Sequence, residues 1–312
     1  MTAVAQLVER MERIESGPTV LVGLIGRGIQ ASRTPFMHEN EARAQGIPYV
    51  YRLLDVDRMG TVPPSLPEIL RFAGYLGFTG FNVTFPYKQE IVPLLDELSP
   101  AARDLGSVNT VVLRDGRRFG HNTDMWGFRE SFRRGMAGVA RNDILLLGAG
   151  GAGVAVAYAL LDLGAGTVHV HDTDADRAAA LVARLLARFG DGRAEAVGDL
   201  PATARGADGI VNATPVGMAK LPGMPLPASL LQPSQWVADV VYFPLETELL
   251  RHARSIGCRT LSGEGMAIYQ AVRAFQHFTG VEPDMDRMSA AFASFDRMPA
   301  RAGVVPGALA PG

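Results

Sequence analysis

The chain has 312 residues, room for two domains, and is 47% hydrophobic and 20% charged, the composition of a folded globular protein. Its formal net charge of −2, with acids and bases interspersed, offers neither a basic stripe for nucleic acid nor a polybasic patch for a membrane. A single cysteine, Cys258, excludes an internal disulfide framework and a cysteine metal cluster, and its place after Ile256-Gly257 predicts a core thiol.

Met1 to Ile14 alternate acids, arginines and apolar residues like an amphipathic helix and lack the marks of a signal peptide, so a cytoplasmic protein is expected. Val20 to Ile25 then reads as a strand, Pro35 to Gln45 as a helix, Tyr49 to Leu54 as a strand, Leu66 to Tyr75 as a helix and Thr79 to Val83 as a strand. Val108 to Leu113 and Arg118 to His121 flank Asp115-Gly116, a dipeptide that supplies the positive φ of a tight hairpin. Asp124 to Arg134 predicts a helix leading into a second unit. That unit has helices at Arg177 to Phe189 and Leu245 to Ile256, and strands at Gly209 to Ala213, Trp236 to Tyr242 and Arg259 to Leu261. Met266 to Thr279 predicts a long helix and Asp286 to Phe295 another, and from Pro299 onward Ala, Gly and Pro predict a mobile tail. The alternation implies an α/β protein with mostly parallel sheets covered by helices on both faces.

The most informative run is Ile144 to Asp172: an apolar strand, Gly148-Ala149-Gly150-Gly151-Ala152-Gly153, a small-residue helix, then Val168-His169-Val170-His171 and an acid. Glycines at the first, third and sixth places permit a tight turn, close approach of backbone to a pyrophosphate, and a helix seated against the sheet with its amides facing the phosphates. The uncharged stretch Ile144 to Leu161 is long enough for the shortest membrane spans, but its central glycines mark a buried strand, turn and helix. Asp172, about 19 residues beyond the last glycine, stands where a carboxylate bonds an adenosine ribose. A 2′-phosphate would meet repulsion there, so NAD is favoured over NADP. Asp174 and Asp176 add to the negative field, and Arg177 is the nearby cation that argues otherwise.

Four further stretches concentrate polar groups where loops follow strands, the usual ligand position in an α/β layer. Ser32-Arg33-Thr34-Pro35 suits a carboxylate ligand or a helix cap. Asn82-Val83-Thr84-Phe85-Pro86-Tyr87-Lys88 offers an amide, a hydroxyl and a lysine; Ser107-Val108-Asn109-Thr110 carries Asn109 into a buried strand; and in Gly120-His121-Asn122-Thr123-Asp124 the last residue is a catalytic acid or a helix cap. His38, His121 and His277 show no metal-ligand spacing and are expected at the surface or beside the site, with no bound metal.

Over nearly its whole length the chain resembles the shikimate dehydrogenase family. The resemblance is carried by these elements, the glycine loop, Asn212-Ala213-Thr214-Pro215-Val216-Gly217-Met218, Asp239-Val240-Val241-Tyr242, and Gly263-Glu264-Gly265-Met266 continuing to Gln270. It implies Lys88 and Asp124 as the catalytic pair, and Ser32, Thr34, Thr84, Asn109, Tyr242 and Gln270 as holders of a substrate's carboxylate and hydroxyls. For the dinucleotide it implies Gly148, Gly150, Gly151, Ala152, Gly153, Asp172, Asn212, Thr214, Pro215, Met218, Val240, Gly263 and Met266. It further implies a substrate-binding, catalytic domain (1–123 with 266–298) across a cleft from a Rossmann-type, doubly wound nucleotide domain (124–265), with 299–312 as the tail.

Three departures from the commonest biosynthetic pattern stand out. His171-Asp172-Thr173 replaces an Asn-Arg-Thr element, removing the arginine that would hold a 2′-phosphate. Thr34 replaces a serine, and Gly28 and Ala31 replace a proline and a histidine. These features are similar to the NAD-dependent quinate/shikimate dehydrogenase branch, whose relatives include aminoshikimate and aminoquinate dehydrogenases. The implied reaction moves hydride from a ring carbinol carbon to nicotinamide while a proton leaves the hydroxyl. Either Lys88 takes that proton, held by Asp124, or Asp124 takes it while charged Lys88 stabilises the alkoxide. A biosynthetic shikimate dehydrogenase, a folate-type dehydrogenase of the same architecture and a non-catalytic ligand sensor are the competing readings. The sequence leaves monomer and homodimer open.

Overall fold

The computed structural model describes residues 19–295. The expected helix at Met1 to Ile14 and the tail from Pro299 lie outside them. The N-terminal half runs β1 (Val20–Gly26), α1 (Thr34–Gln45), β2 (Tyr49–Asp55), α2 (Leu66–Tyr75), β3 (Gly80–Val83), β4 (Glu97–Leu98), α3 (Pro100–Leu105), β5 (Thr110–Arg114) and β6 (Arg117–His121). Its six strands lie in the order β2-β1-β3-β5-β6-β4. The first three are parallel, as strand-helix-strand units require, and β5 and β6 join antiparallel. The hairpin turn falls on Asp115 and Gly116, both at positive φ, as the dipeptide predicts.

α4 (Asp124–Gly135) leads into a second sheet built from β7 (Asp143–Leu147), α5 (Gly151–Asp162), β8 (Thr167–His171), α6 (Ala175–Phe189), β9 (Ala194–Ala196), α7 (Leu200–Gly206), β10 (Gly209–Asn212), β11 (Trp236–Asp239), α8 (Glu248–Ser255) and β12 (Arg259–Leu261). All six strands are parallel, in the order β12-β11-β10-β7-β8-β9. The order reverses between β7 and β10, so a crevice opens at their C-terminal ends, where doubly wound sheets hold dinucleotides. Ile144, Leu146, Val156, Leu160, Val168 and Val170 are fully buried around this sheet, each adding about 1.5–3 kcal/mol of apolar burial. Cys258 is a buried thiol packed with Leu249 and Leu250, as expected.

Two expected elements are shorter than their apolar runs. β11 ends at Asp239 because that side chain accepts the Val241 amide at 3.0 Å and turns the chain. α8 begins only at Glu248, where the Thr247 hydroxyl accepts the Leu250 amide at 3.3 Å.

α9 (Glu264–Thr279) and α10 (Met285–Ser294) complete the described chain. α9 touches both halves: Met266 enters the core around β7, Ala271 and Val272 pack with Met37 and Phe292, and Ala274 and Phe278 reach Val22 and Leu24 of β1. Its contact with α4 is backbone-close, since a Cβ on Gly127 would stand 2.8 Å from the Met266 carbonyl oxygen and the Gln270 amide nitrogen. α4 and α9 therefore fix one sheet relative to the other. No helix among the described residues is long and apolar enough to cross a membrane.

Candidate active site

Lys88 follows β3 and Asp124 opens α4, and the fold joins them: Lys88 Nζ donates to Asp124 Oδ2 at 2.6 Å, with side chains 22% and 8% exposed. Such a partly desolvated pair is stronger than one in open water. Asp124 does not cap its helix. Asn122 does, its Oδ1 accepting the amides of Asp124 and Met125 at 3.1 and 3.2 Å. That leaves both Asp124 oxygens for side-chain chemistry. Oδ2 receives Lys88 and Oδ1 receives Asn109 Nδ2 at 2.9 Å, while the second Asn109 amide proton goes to Thr123 Oγ1 at 2.9 Å. Asn109 is thus buried and committed to orienting the carboxylate.

The carboxylate-binding candidates lie on the neighbouring loop. Ser32 precedes α1 and Thr34 opens it; the Thr34 amide meets Ser32 Oγ at a long 3.4 Å, and no side chain caps the helix. The approach to that loop is clamped by buried Asp55, which accepts the Gly28 amide at 3.0 Å, the Ile29 amide at 3.2 Å and the Gln30 side chain at 2.8 Å. Burial alone would raise the Asp55 carboxyl, but these donors outweigh it and leave it below its ordinary range. Thr84 sits against the same loop: a Cβ on Gly26 would meet its methyl at 2.4 Å and that of Ile29 at 2.8 Å. Arg33 is buried under the Phe292 ring, 4.5 Å from its centroid. Tyr242 approaches from the second sheet. Desolvation raises its phenol above the ordinary value even though 40% of the residue is exposed, and Lys88, Asp124 and Arg33 all act on it electrostatically. Gln270 lies on α9, with its backbone against Gly127 of α4, one turn from Asp124.

Across the cleft each loop glycine has a distinct reason. Gly148 has φ +98°, and a Cβ there would sit 3.0 Å from the Ala213 carbonyl; a Cβ on Gly153 would sit 1.9 Å from the Gly148 oxygen; around Gly150 nothing lies within 4 Å. The first supplies the turn, the last the tight helix seat, and the middle an open face beside free amides, the cradle a pyrophosphate fills. Ala152 completes the first turn of α5 between these glycines. Gly151 faces the N-terminal half, 3.9 Å from both Lys88 Cδ and Ser107 Oγ when given a Cβ. Asp172, at the end of β8, accepts the Ala149 amide at 2.7 Å and the Asp174 amide at 2.9 Å, and Arg177 lies 3.7 Å away. Burial pushes its carboxyl up, but these donors and the arginine hold it below the ordinary range, so the site carries a fixed negative charge.

The other candidates end or follow β10, follow β11 or stand at the start of α9. Buried Asn212 spends its amide on the Val216 carbonyl at 2.9 Å and Asp239 at 3.0 Å, and accepts the Thr214 amide and hydroxyl at 3.0 and 2.7 Å. It shapes the Thr214-Pro215 turn from within. Met218 is exposed beyond that turn, Met266 is buried, and Gly263 is pressed against Val240, whose carbonyl oxygen would be 2.4 Å from an added Cβ.

The fold and the cleft agree with known proteins. Residues 24–111 match the family model described as shikimate dehydrogenase substrate binding domain, and residues 263–291 that of the shikimate 5′-dehydrogenase C-terminal domain. The chain is 57% identical over 272 residues to the shikimate dehydrogenase (NADP(+)) of Streptomyces avermitilis, covering 86% of this chain and 94% of the relative. It belongs to the shikimate dehydrogenase family. Another member, the quinate/shikimate dehydrogenase (NAD(+)) of Corynebacterium efficiens, is 48% identical over 282 residues, covering 88% of this chain and 98% of the relative. The solved quinate dehydrogenase of Corynebacterium glutamicum in complex with NAD superposes with a TM-score of 0.84 at 46% identity, covering 88% of this chain and 99% of that one. Family membership carries a nicotinamide dinucleotide, but these relatives divide between its two forms.

The structure corrects one expectation. His38 is a core residue, fully buried between Tyr49, Tyr51, Phe275 and Phe278, and desolvation lowers its imidazole to about 3. His121 and His277 stack at 4.0 Å, and among the described residues no cluster of His, Cys, Asp and Glu suits a metal. Sequence reasoning missed the roles of Asp55, Asn122 and Asp239. Each is an acid or amide at a strand end, and only their partners distinguish them from ordinary turn residues.

Proposed function

We propose that the protein is an NAD-dependent dehydrogenase that oxidises quinate, shikimate or both to the 3-dehydro ketone. The observation that carries this reading is the Lys88–Asp124 pair set in the cleft with the lysine stem against Gly151 of the glycine loop. A proton-handling pair and a dinucleotide cradle meet there. Ser32 and Thr34 would supply hydroxyls for a ring carboxylate, and Tyr242, Gln270 and Thr84 would supply further substrate contacts.

Gly148, Gly150, Gly151, Ala152 and Gly153 would hold the pyrophosphate and Asp172 the adenosine ribose, and the nicotinamide, when bound, supplies the hydride acceptor. The chain's own task is the proton. As the carbinol carbon loses hydride its hydroxyl proton must leave, and the hydroxyl would contact both members of the Lys88–Asp124 pair. One of them takes the proton while the other stabilises the charge that remains. Asp172 supports NAD because its carboxylate, held charged by the Ala149 and Asp174 amides, would accept a ribose hydroxyl and repel a 2′-phosphate.

Initial-rate reduction of NAD and of NADP, with quinate and with shikimate, tests the reading. Turnover of either acid with NAD in clear preference bears it out. Preference for NADP moves the protein to the biosynthetic branch, with Arg177 turned from Asp172 toward the phosphate. No turnover with either acid removes the substrate assignment.

A further inference from the structure

The side chain that aims Asp124 is itself aimed, from the far side of the sheet. Asn109 Oδ1 accepts the Thr123 amide at 2.8 Å and the Thr110 hydroxyl at 3.1 Å. Thr110 Oγ1 can give that proton because it accepts from Asn82 Nδ2 at 3.1 Å. Asn82 has only one orientation, since its Nδ2 also faces the Asn109 backbone carbonyl, an acceptor only, at 3.3 Å. Its Oδ1 is therefore turned to Tyr51, whose hydroxyl donates at 2.8 Å. Tyr51, Asn82, Thr110 and Asn109 are all buried, and desolvation keeps the Tyr51 phenol protonated, raised well above 10. Every link thus has one donor sense, running from β2 through β3 and β5 to the carboxylate.

We propose that Tyr51 and Thr110 are positioning residues of the reaction: their hydroxyls complete a one-directional relay that keeps one Asn109 amide proton on Asp124 and the other on Thr123. The proposal rests on the functional reading above for its kinetic test and on the geometry alone for its spectroscopic one. Neither hydroxyl touches the cleft, so they act through Asn109. Without Thr110's proton, Asn109 Oδ1 is held by Thr123 alone, through its amide at 2.8 Å and its hydroxyl at 3.2 Å, Asn82 loses an acceptor, and the amide gains freedom to rock away from Asp124. The carboxylate then loses a partner that favours its charged form.

Thr110→Val, which keeps shape and removes the hydroxyl, is expected to lower kcat about tenfold with KM for the acid within about twofold, the scale of one weakened buried hydrogen bond. The acid limb of its kcat–pH profile should move to higher pH, and Thr110→Ser should restore both. Tyr51→Phe, one link further away, should lose about threefold in the same sense. In the unliganded protein, the Asn109 side-chain amide protons should exchange with solvent faster in both variants while neighbouring backbone amides stay protected. A merely structural role would lower the melting temperature and leave the pH profile and the side-chain exchange unchanged; that result overturns the proposal. Where Thr110→Val does not fold, Tyr51→Phe decides by the same readouts. If the wild-type protein turns over neither acid, the function fails and amide exchange alone decides the relay.

Discussion

The two sheets deal with polarity in opposite ways. The N-terminal sheet threads a side-chain network through its interior, from Tyr51 to Lys88, and sets a neutral histidine in its core. The second sheet is apolar along its middle and gathers buried polar side chains such as Asn212, Asp239 and Thr247 at the strand ends, and the groups it offers a ligand are largely backbone: the amides of the glycine loop and the turn shaped by Asn212. Proton transfer needs a titratable atom held in place, so that half depends on particular side chains. Phosphate binding needs a bare helix end, so the other half depends on the absence of side chains.

The largest effect expected from this contrast is at Lys88. Lys88→Ala should cut kcat about a thousandfold while leaving the melting temperature within a few degrees, because general acid–base groups contribute about 10²–10⁴ in rate. A variant with near-normal turnover would break the assignment. The glycines form the matching pair. Gly153→Ala, whose Cβ would be 1.9 Å from the Gly148 oxygen, should destabilise the protein by about 3 kcal/mol. Gly150→Ala, which meets no atom within 4 Å, should melt like the wild type but bind dinucleotide about tenfold more weakly by calorimetry. Equal stability of the two variants would contradict the division of labour among the loop glycines.

Asp172→Asn should come next, raising KM for NAD about tenfold and lowering that for NADP, as the repulsive charge is removed and Arg177 is released. An unchanged ratio would place cofactor choice elsewhere. The smallest effect concerns acid. His38, lowered to about 3, and His277, lowered by burial to about 4, stay neutral in the folded protein while the unfolded chain takes up protons below about 6.5. Stability is therefore lost as pH falls from 6.5 toward 4. Asp239 works in reverse: burial raises it to about 6 against the hydrogen bonds from Thr247, Val241 and Asn212, so its protonation in the fold adds stability as pH falls from 6 toward 3.8. Asp239→Asn should steepen the fall in melting temperature between pH 6.5 and 4, and a shallower fall would refute the assignment.

What could be read from sequence follows the same division. The glycine spacing, its flanking strand and helix, and Asp172 announced the second sheet because backbone demands leave a local pattern. The Lys88 and Asp124 elements were legible only together with a family pattern, each alone being indistinguishable from a surface lysine or a helix cap. β4, α3, β9 and α7 were not foreseen: with two to seven residues each, they are too short for a periodic signal and depend on neighbours from elsewhere in the chain. His38 was expected at the surface or beside the site for a related reason. Its walls are Tyr49 and Tyr51 on one strand and Phe275 and Phe278 more than two hundred residues away, and no local window contains them.

The backbone contact of α9 with α4 bears on how the molecule is made. Both sheets are encoded before Glu264, yet the helix that seats them together, and that brings Gln270 and Met266 to the cleft, is translated after every strand of either sheet. A chain that stops at β12 carries every strand of both sheets but not the helix packed between them. Premature termination just before Glu264 would leave a product that retains the glycine loop and Lys88 but lacks the helix whose Met266 and Phe278 pack into the cores of the two halves.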